Sequence, residues 1–248
     1  MVGLPLRRLY HPVLFQGERL LDRPAPYFEG WYFKAVLPGV GSWALIPGLS
    51  LAPPNPHAFV QVIDGSTGSS TYESFPLVEF GHERQPFAIR LGANRFSLQG
   101  VDVSLPGFRA SLAFREPVFW PSRLLSPSSM GWYAFMRFME CYHGVIVLDA
   151  AVEGTVQGRP LAGGRFYLEK DWGRSFPRAW VWMQTNTFAG QAEGVSLTCS
   201  VARVPFRGRE FTDFIIGLLT AGQGRWASGA LHRFTPYNGA RLQEIVFD

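Results

Sequence analysis

The sequence predicts an all-β fold of antiparallel strands, and three observations carry that prediction. Short apolar segments alternate with a two-residue period, turn dipeptides separate them, and no segment keeps a 3.6-residue apolar period for three turns. Strands are expected at residues 30–37, 57–64, 87–91, 109–115, 144–153, 164–169, 179–188, 195–204, 211–220 and 241–247. Between them, Asp64-Gly65, Gly68-Ser69, Pro106-Gly107, Gly163-Gly164 and Asn238-Gly239 read as turns, because Gly and Asn reach positive φ cheaply and Pro pre-sets a bend. The one candidate helix is residues 132–139. Antiparallel strands at this density fit a sandwich or an up-and-down barrel, and a barrel of about eight strands encloses room for one small ligand.

With 248 residues, 47% of them hydrophobic, the chain can bury a large core as one β domain or as two domains of about 120 residues each. Pro and Ser concentrate between Pro117 and Ser129, where they interrupt strand pairing. The expected organisation is therefore an N-terminal barrel-like half over residues 1–118, a connector over 119–129 and a C-terminal half over 130–248.

The net charge of +4 comes from Arg, since only two of the 23 basic residues are Lys. The basic residues sit singly or in short groups with no nucleic-acid motif, so a nucleic-acid partner is not expected. The first twenty residues lack the pattern of a signal peptide, and no apolar run approaches the ~18 residues that span a bilayer. A cytoplasmic protein is the expectation. Cys141 and Cys199 have no paired spacing, which reads as two buried free thiols. His11, His57, His82, His143 and His232 are scattered, so neither a metal site nor another cofactor is expected.

Three segments carry chemistry. In Glu29-Gly30-Trp31-Tyr32-Phe33-Lys34, strand periodicity puts Glu29, Trp31 and Phe33 on one face and Tyr32 and Lys34 on the other. Whichever face is buried, a charge goes with it and needs a partner or must neutralise. In Met139-Glu140-Cys141-Tyr142-His143-Gly144, Glu140 and Tyr142 share a face opposite Cys141 and His143. A carboxyl at the end of a buried strand can be raised in pKa and serve as a general acid, although a structural carboxylate on backbone amides is as common.

The third and most informative segment runs from Arg165 to Phe188. Arg165, Tyr167, Glu169 and Asp171 alternate onto one side. After the turn at 173–177, Trp180, Trp182, Gln184, Asn186 and Phe188 share a face, with Val181, Met183, Thr185 and Thr187 behind them packing as small apolar groups. A wide, aromatic, amide-bearing face fits the wall of a ligand cavity. A Trp-rich core with satisfied amides is the competing reading.

FEGWYFK, HAFVQVIDGSTGSS, MECYHGV and EKDWGRSFPRAWVWMQTNTF, taken together, resemble the bacterial branch of the tocopherol cyclase-like family over about residues 25 to 247. The block from Glu169 to Phe188 matches the plant pattern at Glu169, Lys170, Trp172, Gly173, Phe176, Pro177, Trp180, Trp182, Gln184, Asn186 and Phe188. Residues 139–149 have a form of their own, so Glu140 and His143 take no role from the resemblance. The resemblance implies two lipocalin-like (calycin-type) antiparallel β-barrel halves and chemistry on large apolar prenyl or polyene substrates. It implies chromanol ring closure as the founding activity, with carotenoid hydratases and polyketide cyclases as related folds.

The expected function is acid-catalysed cyclisation, isomerisation or hydration of an alkene in a prenylated phenol, a quinol or a terpenoid. Asp171 and Glu169 are the first candidates for the acid and Glu140 the third, while Trp31, Trp180 and Trp182 face the cation. Gln184 and Asn186 orient the oxygen-bearing head group, and Tyr32, Lys34, Tyr142, His143 and Trp172 complete the expected ligand contacts. A lipocalin-like carrier that binds an apolar ligand without turnover is the alternative. A buried, paired carboxylate in the cavity favours the enzyme. An apolar substrate also allows a peripheral contact with a membrane.

Overall fold

The structure, a computed structural model, describes residues 11–22, 25–37, 39–122, 126–136, 139–188, 195–206, 209–220, 223–230, 233–234 and 245–246. Its largest sheet has eleven strands: β1 (Phe28–Leu37), β2 (Gly41–Ser50), β3 (His57–Asp64), β4 (Ser70–Phe75), β5 (Phe80–Arg84), β6 (Phe87–Leu91), β7 (Asn94–Ser97), β8 (Gly100–Leu105), β9 (Phe108–Phe119), β10 (Cys141–Val156) and β11 (Arg159–Gly173). The order across the sheet is β4-β3-β2-β1-β11-β10-β9-β8-β7-β6-β5, with every pair antiparallel. β11 joins the two runs of hairpins by pairing with β1, Tyr32 opposite Glu169 and Lys34 opposite Tyr167.

Six steps in the hydrogen-bonding direction separate β1 from β6. In a flat sheet that would be about 29 Å at ~4.8 Å per strand. Yet the Trp31 ring of β1 is 6.1 Å from Phe87 of β6, and Phe33 is 5.6 Å from Phe96 of β7. The sheet is therefore curled into a nearly closed barrel. Strand alternation supplies its interior: along β1, Glu29, Trp31, Phe33, Ala35 and Leu37 turn inward and the residues between them are less buried. Phe114 and Phe166 stack with ring centroids 3.6 Å apart inside it. Truncating a buried aromatic of this kind costs about 3–5 kcal/mol, so these rings dominate the barrel's packing.

A second antiparallel sheet, β12 (Trp180–Thr185), β13 (Ser196–Phe206), β14 (Arg209–Thr220) and β15 (Gln223–Ala230), has β12 at its edge. It lies on the outer face of β1, β10 and β11. There Val145, Leu148, Tyr167 and Val204 form a second core with Trp120, Met130, Ala134 and Met139. Polar ties cross between the sheets: the Ser196 hydroxyl donates to Leu148 O at 2.7 Å, and Asn186 Nδ2 donates to Phe166 O at 3.0 Å. Asn186 Nδ2 also reaches Asp149 Oδ1 at 3.2 Å, a buried carboxylate that Arg165 Nε meets at 2.9 Å. Lying between two cores, β10 is buried on both faces from Gly144 to Ala150, which is why Val145 to Leu148 read as an unbroken apolar run before the buried Asp149.

The Pro- and Ser-rich connector at 119–129 begins at the last residue of β9 and leads toward β10, and these two strands are neighbours in one sheet. The sheet is thus continuous across the connector, and the chain leaves it only after Gly173. The helix expected at 132–139 is a short 3-10 turn, Gly131–Phe135, too short for an apolar face to repeat. β2, β4, β5, β7, β8 and β15 were not anticipated; β2 carries Gly41, Pro47 and Gly48, residues that usually signal turns. Val181 and Met183, expected to pack, are 40% and 42% exposed, because β12 is an edge strand and its back faces solvent. The expected turn at Asn238-Gly239 and most of the expected strand at 241–247 lie outside the described residues, leaving Ile245–Val246 paired with Arg233–Phe234. Among the described residues no helix is long and apolar enough to cross a membrane.

Candidate active site

The outer face of the barrel carries the ionisable groups, and register decides which of them meet. Tyr167, Glu169 and Asp171 share that face of β11 by the two-residue period. β10 sets His143 opposite Asp171, and β1 sets Tyr32 opposite Glu169. The second sheet lies over this patch and leaves a cavity of about 230 Å³ between the two layers. Its walls include Tyr32, Met130, Met139, Trp180, Trp182 and Val204, and its polar groups include Cys141, His143, Glu169, Asp171 and Ser200.

Gly173 makes the mouth possible. Its φ is +152°, and a Cβ there would lie 2.1 Å from Glu140 O. With no side chain in the way, the Arg174 N–H donates to that same oxygen at 2.7 Å, and the chain turns toward β12. Phe176 then stacks between Phe28 and Trp180, at 4.6 and 5.6 Å, on the rim of the cavity.

Inside, His143 stands between two carboxyls. Its Nδ1 is 3.0 Å from Asp171 Oδ1, and its Nε2 is 3.5 Å from Glu169 Oε2. Glu169 is only 4% exposed, and its Oε2 accepts from the Tyr167 hydroxyl at 2.6 Å and from Trp182 Nε1 at 3.0 Å. Behind Tyr167, its hydroxyl meets Thr198 Oγ1 of β13 at 3.0 Å. Burial raises the Glu169 carboxyl from its ordinary 4.5 to about 7, against the lowering pull of His143 and of its two hydrogen bonds. For His143, burial opposes the charged form, but Glu169 and Asp171 outweigh it and lift the imidazole from 6.5 to about 9. Near neutral pH the cluster is an imidazolium facing Asp171, with a protonated or titrating carboxyl on its other side.

His143, Glu169 and Asp171 are also the described residues that could together hold a metal ion, with one ligand atom from each within 4.8 Å of the others. Each carboxyl, however, faces a different ring nitrogen. That arrangement suits hydrogen bonding along a line better than convergence of three donors on one ion.

A sequence profile of the tocopherol cyclase-like family matches residues 111–239, from β9 through the second sheet. The chain belongs to that family. It is 35% identical over 127 residues to the chloroplastic tocopherol cyclase of Zea mays, a match covering 48% of this chain and 25% of that protein. It is 34% identical over 80 residues to the probable chloroplastic tocopherol cyclase of Oryza sativa subsp. japonica, covering 29% of this chain and 16% of that one. The matched region thus spans a quarter or less of these plant relatives. Among solved structures, kievitone hydratase from Nectria haematococca superposes with a TM-score of 0.51 at 12% identity, over 84% of this chain and 65% of that one. CghA with Sch210972 superposes with a TM-score of 0.50 at 14% identity, over 77% and 58%. These two likenesses show the shared fold.

In this tocopherol cyclase-like protein, the cavity gathers Glu169, Asp171, His143, Tyr32, Trp180 and Trp182 from the expected site residues. The other expected residues lie elsewhere. Trp31 is fully buried in the barrel core, on the opposite face of β1 from the cavity, as strand alternation requires. Glu140 precedes β10, is exposed, and accepts from the Ser175 hydroxyl at 3.0 Å. Tyr142 and Trp172 stack on each other at 5.4 Å, on the faces of β10 and β11 turned away from His143 and Asp171. Lys34 Nζ is engaged by Gln184, at 3.0 Å to its carbonyl oxygen and 2.8 Å to Oε1. Asn186 serves as an inter-sheet tie and not as a wall of the cavity. Nor is the cavity inside the barrel, whose interior is filled by the first core. Sequence reasoning missed Met130, Met139 and the face of β13 that supplies Ser200, Ala202 and Val204. The signal was available: Thr198, Ser200 and Ala202 are small residues at a two-residue period, which leaves space in front of a strand.

Proposed function

We propose that this protein catalyses proton-initiated addition to an alkene in a small lipophilic substrate, a prenylated phenol or quinol or a related terpenoid. The observation that carries the reading is the Glu169 carboxyl, which lines an apolar cavity and is raised to about 7 by burial. An acid with its pKa near the working pH is protonated often enough to donate and strong enough to do so.

The Glu169 O–H proton adds to one alkene carbon, the π pair forming the new C–H bond, and the other carbon becomes a tertiary cation. Trp182 and Tyr32, edge to face at 5.4 Å and 74°, offer ring faces to that cation. A phenol oxygen of the substrate, or a water, forms the C–O bond and releases its proton to Asp171. Asp171, which is partly exposed, passes that proton to solvent and Glu169 regains one from solvent, restoring the starting state. His143 keeps both N–H protons and holds Asp171 ionised through Nδ1–H. Capture by the internal phenol is cyclisation; capture by water is hydration; loss of a neighbouring proton instead is isomerisation.

The paired carboxyl beneath aromatic rings supports turnover over a carrier role, since a carrier needs no group at this pKa. The exposed rim, with Phe176 at 49% and Trp180 at 54%, supports loading of an apolar substrate from a lipid surface by peripheral contact. Incubation with a prenylated hydroquinone in D2O tests the reading. One deuterium on the former alkene carbon of the product is expected; substrate that is bound and returned unlabelled would leave the carrier.

A further inference from the structure

Both hydrogen bonds to Glu169 fall on one oxygen. Tyr167 Oη and Trp182 Nε1 donate to Oε2, and His143 Nε2 approaches that same atom, while Oε1 accepts nothing among the described residues. A protonated carboxyl has one good acceptor, its carbonyl oxygen, and one oxygen that carries the proton. Donors clustered on Oε2 therefore select which is which. We propose that Tyr167, held by Thr198, and Trp182 are positioning residues that fix Oε2 as the carbonyl oxygen of Glu169 and leave the acidic proton on Oε1, open to the cavity.

The proton inventory agrees. Tyr167 has one hydrogen and spends it on Glu169, so the Thr198 hydroxyl must donate to Tyr167 to make the contact between them. Thr198 thereby fixes the Tyr167 rotor toward the carboxyl. The two donors come from different layers, Tyr167 from β11 and Trp182 from β12, so the proton is aimed correctly only when the second sheet is seated. The other titratable groups facing Glu169 are His143 from β10, Asp171 from its own strand, and Tyr32 and Lys34 from β1. Of these, His143 approaches Oε2 and reinforces the same choice.

This inference rests on the reading of Glu169 as the proton donor, and isotope-edited infrared spectroscopy separates the two. The carbonyl band of protonated Glu169, assigned by its loss in Glu169→Gln, is recorded well below pH 7 for the wild type, Tyr167→Phe, Trp182→Phe and Thr198→Val. The band should rise in frequency when either donor is removed, further when both are, and by less in Thr198→Val. If Oε2 carried the proton, the band would stay where it is, and the proposal would fall even in an active enzyme. The turnover profile gives the second readout. Tyr167→Phe should move the basic limb up by about one pH unit, the effect of losing one hydrogen bond to the ionised form, and lower kcat about tenfold. A shifted band with an unchanged limb and kcat would overturn the positioning role. A shifted band in a protein that turns over no alkene would keep the placement of the proton and overturn the function proposed above. Should Tyr167→Phe fail to fold, Trp182→Phe and Thr198→Val carry the same two readouts.

Discussion

Lys170 and Glu29 form an ion pair in which neither side chain is exposed to solvent. The ammonium lies between the rings of Trp31 and Trp172, 4.8 and 4.6 Å from their centroids, and donates to Leu14 O at 2.5 Å. Glu29 accepts in addition from the N–H groups of Gln16 and Gly17, each at 2.9 Å, and from the Tyr27 hydroxyl at 2.7 Å. Two oxygens and two ring faces meet the ammonium, three donors besides it meet the carboxylate, and these contacts fasten residues 14–17 to the barrel.

Removing one partner leaves the other buried and unpaired. Glu29→Gln and Lys170→Met should each destabilise by about 3–5 kcal/mol, measured by urea unfolding. Lys170→Arg keeps the charge, but the planar fork must fit between two rings; about 1–3 kcal/mol is expected from overpacking. Wild-type stability of Lys170→Arg would mean that the ammonium site tolerates the larger group.

Lys34 ties β1 to the edge strand of the second sheet through the carbonyl and side-chain oxygens of Gln184. Lys34→Met should cost about 1–3 kcal/mol by leaving those oxygens unpartnered. Faster amide exchange confined to β12, with the barrel unaffected, is the expected signature. Uniform change across both sheets would assign the lysine to global stability instead.

The cluster around the acid makes a signed prediction for pH. Glu169 is raised when folded, so its contribution to stability is complete below about 4.5 and is lost as pH rises through about 7. His143 is raised as well, and its contribution is complete below about 6.5 and lost as pH rises through about 9. Glu169→Gln cannot ionise, so its Tm relative to wild type should climb steadily across both windows. A Tm difference independent of pH would show that Glu169 titrates in the folded protein as it does in the unfolded chain.

Much of this arrangement was legible in the sequence, and the limits have physical causes. Alternation in FEGWYFK placed Glu29 and Lys34 on opposite faces and required a partner for whichever was buried. The structure gives Glu29 to Lys170 and Lys34 to Gln184. The shared face of Tyr167, Glu169 and Asp171 was visible for the same reason, a two-residue period. What periodicity does not contain is which strand lies opposite. It could not bring Thr198 to Tyr167, or His143 to Asp171 across the β10–β11 ladder. Nor could it tell that Trp180 and Trp182 look outward from a second sheet onto the barrel's outer face. Alternation with Tyr142 predicts Glu140 at the end of a buried strand. A backbone that turns one residue earlier leaves it in solvent beside Ser175.

The central claim is that Glu169 supplies the proton, and replacement by the isosteric amide tests it most directly. Single-turnover conversion of a prenylated hydroquinone by Glu169→Gln is compared with wild type, beside the affinity of both for the same compound. The amide fills the same space and keeps an oxygen for Tyr167 and Trp182, but it cannot deliver the proton. Conversion should fall at least about a hundredfold while affinity changes by less than about threefold, well under 1 kcal/mol. Conversion by Glu169→Gln at the wild-type rate would contradict the account.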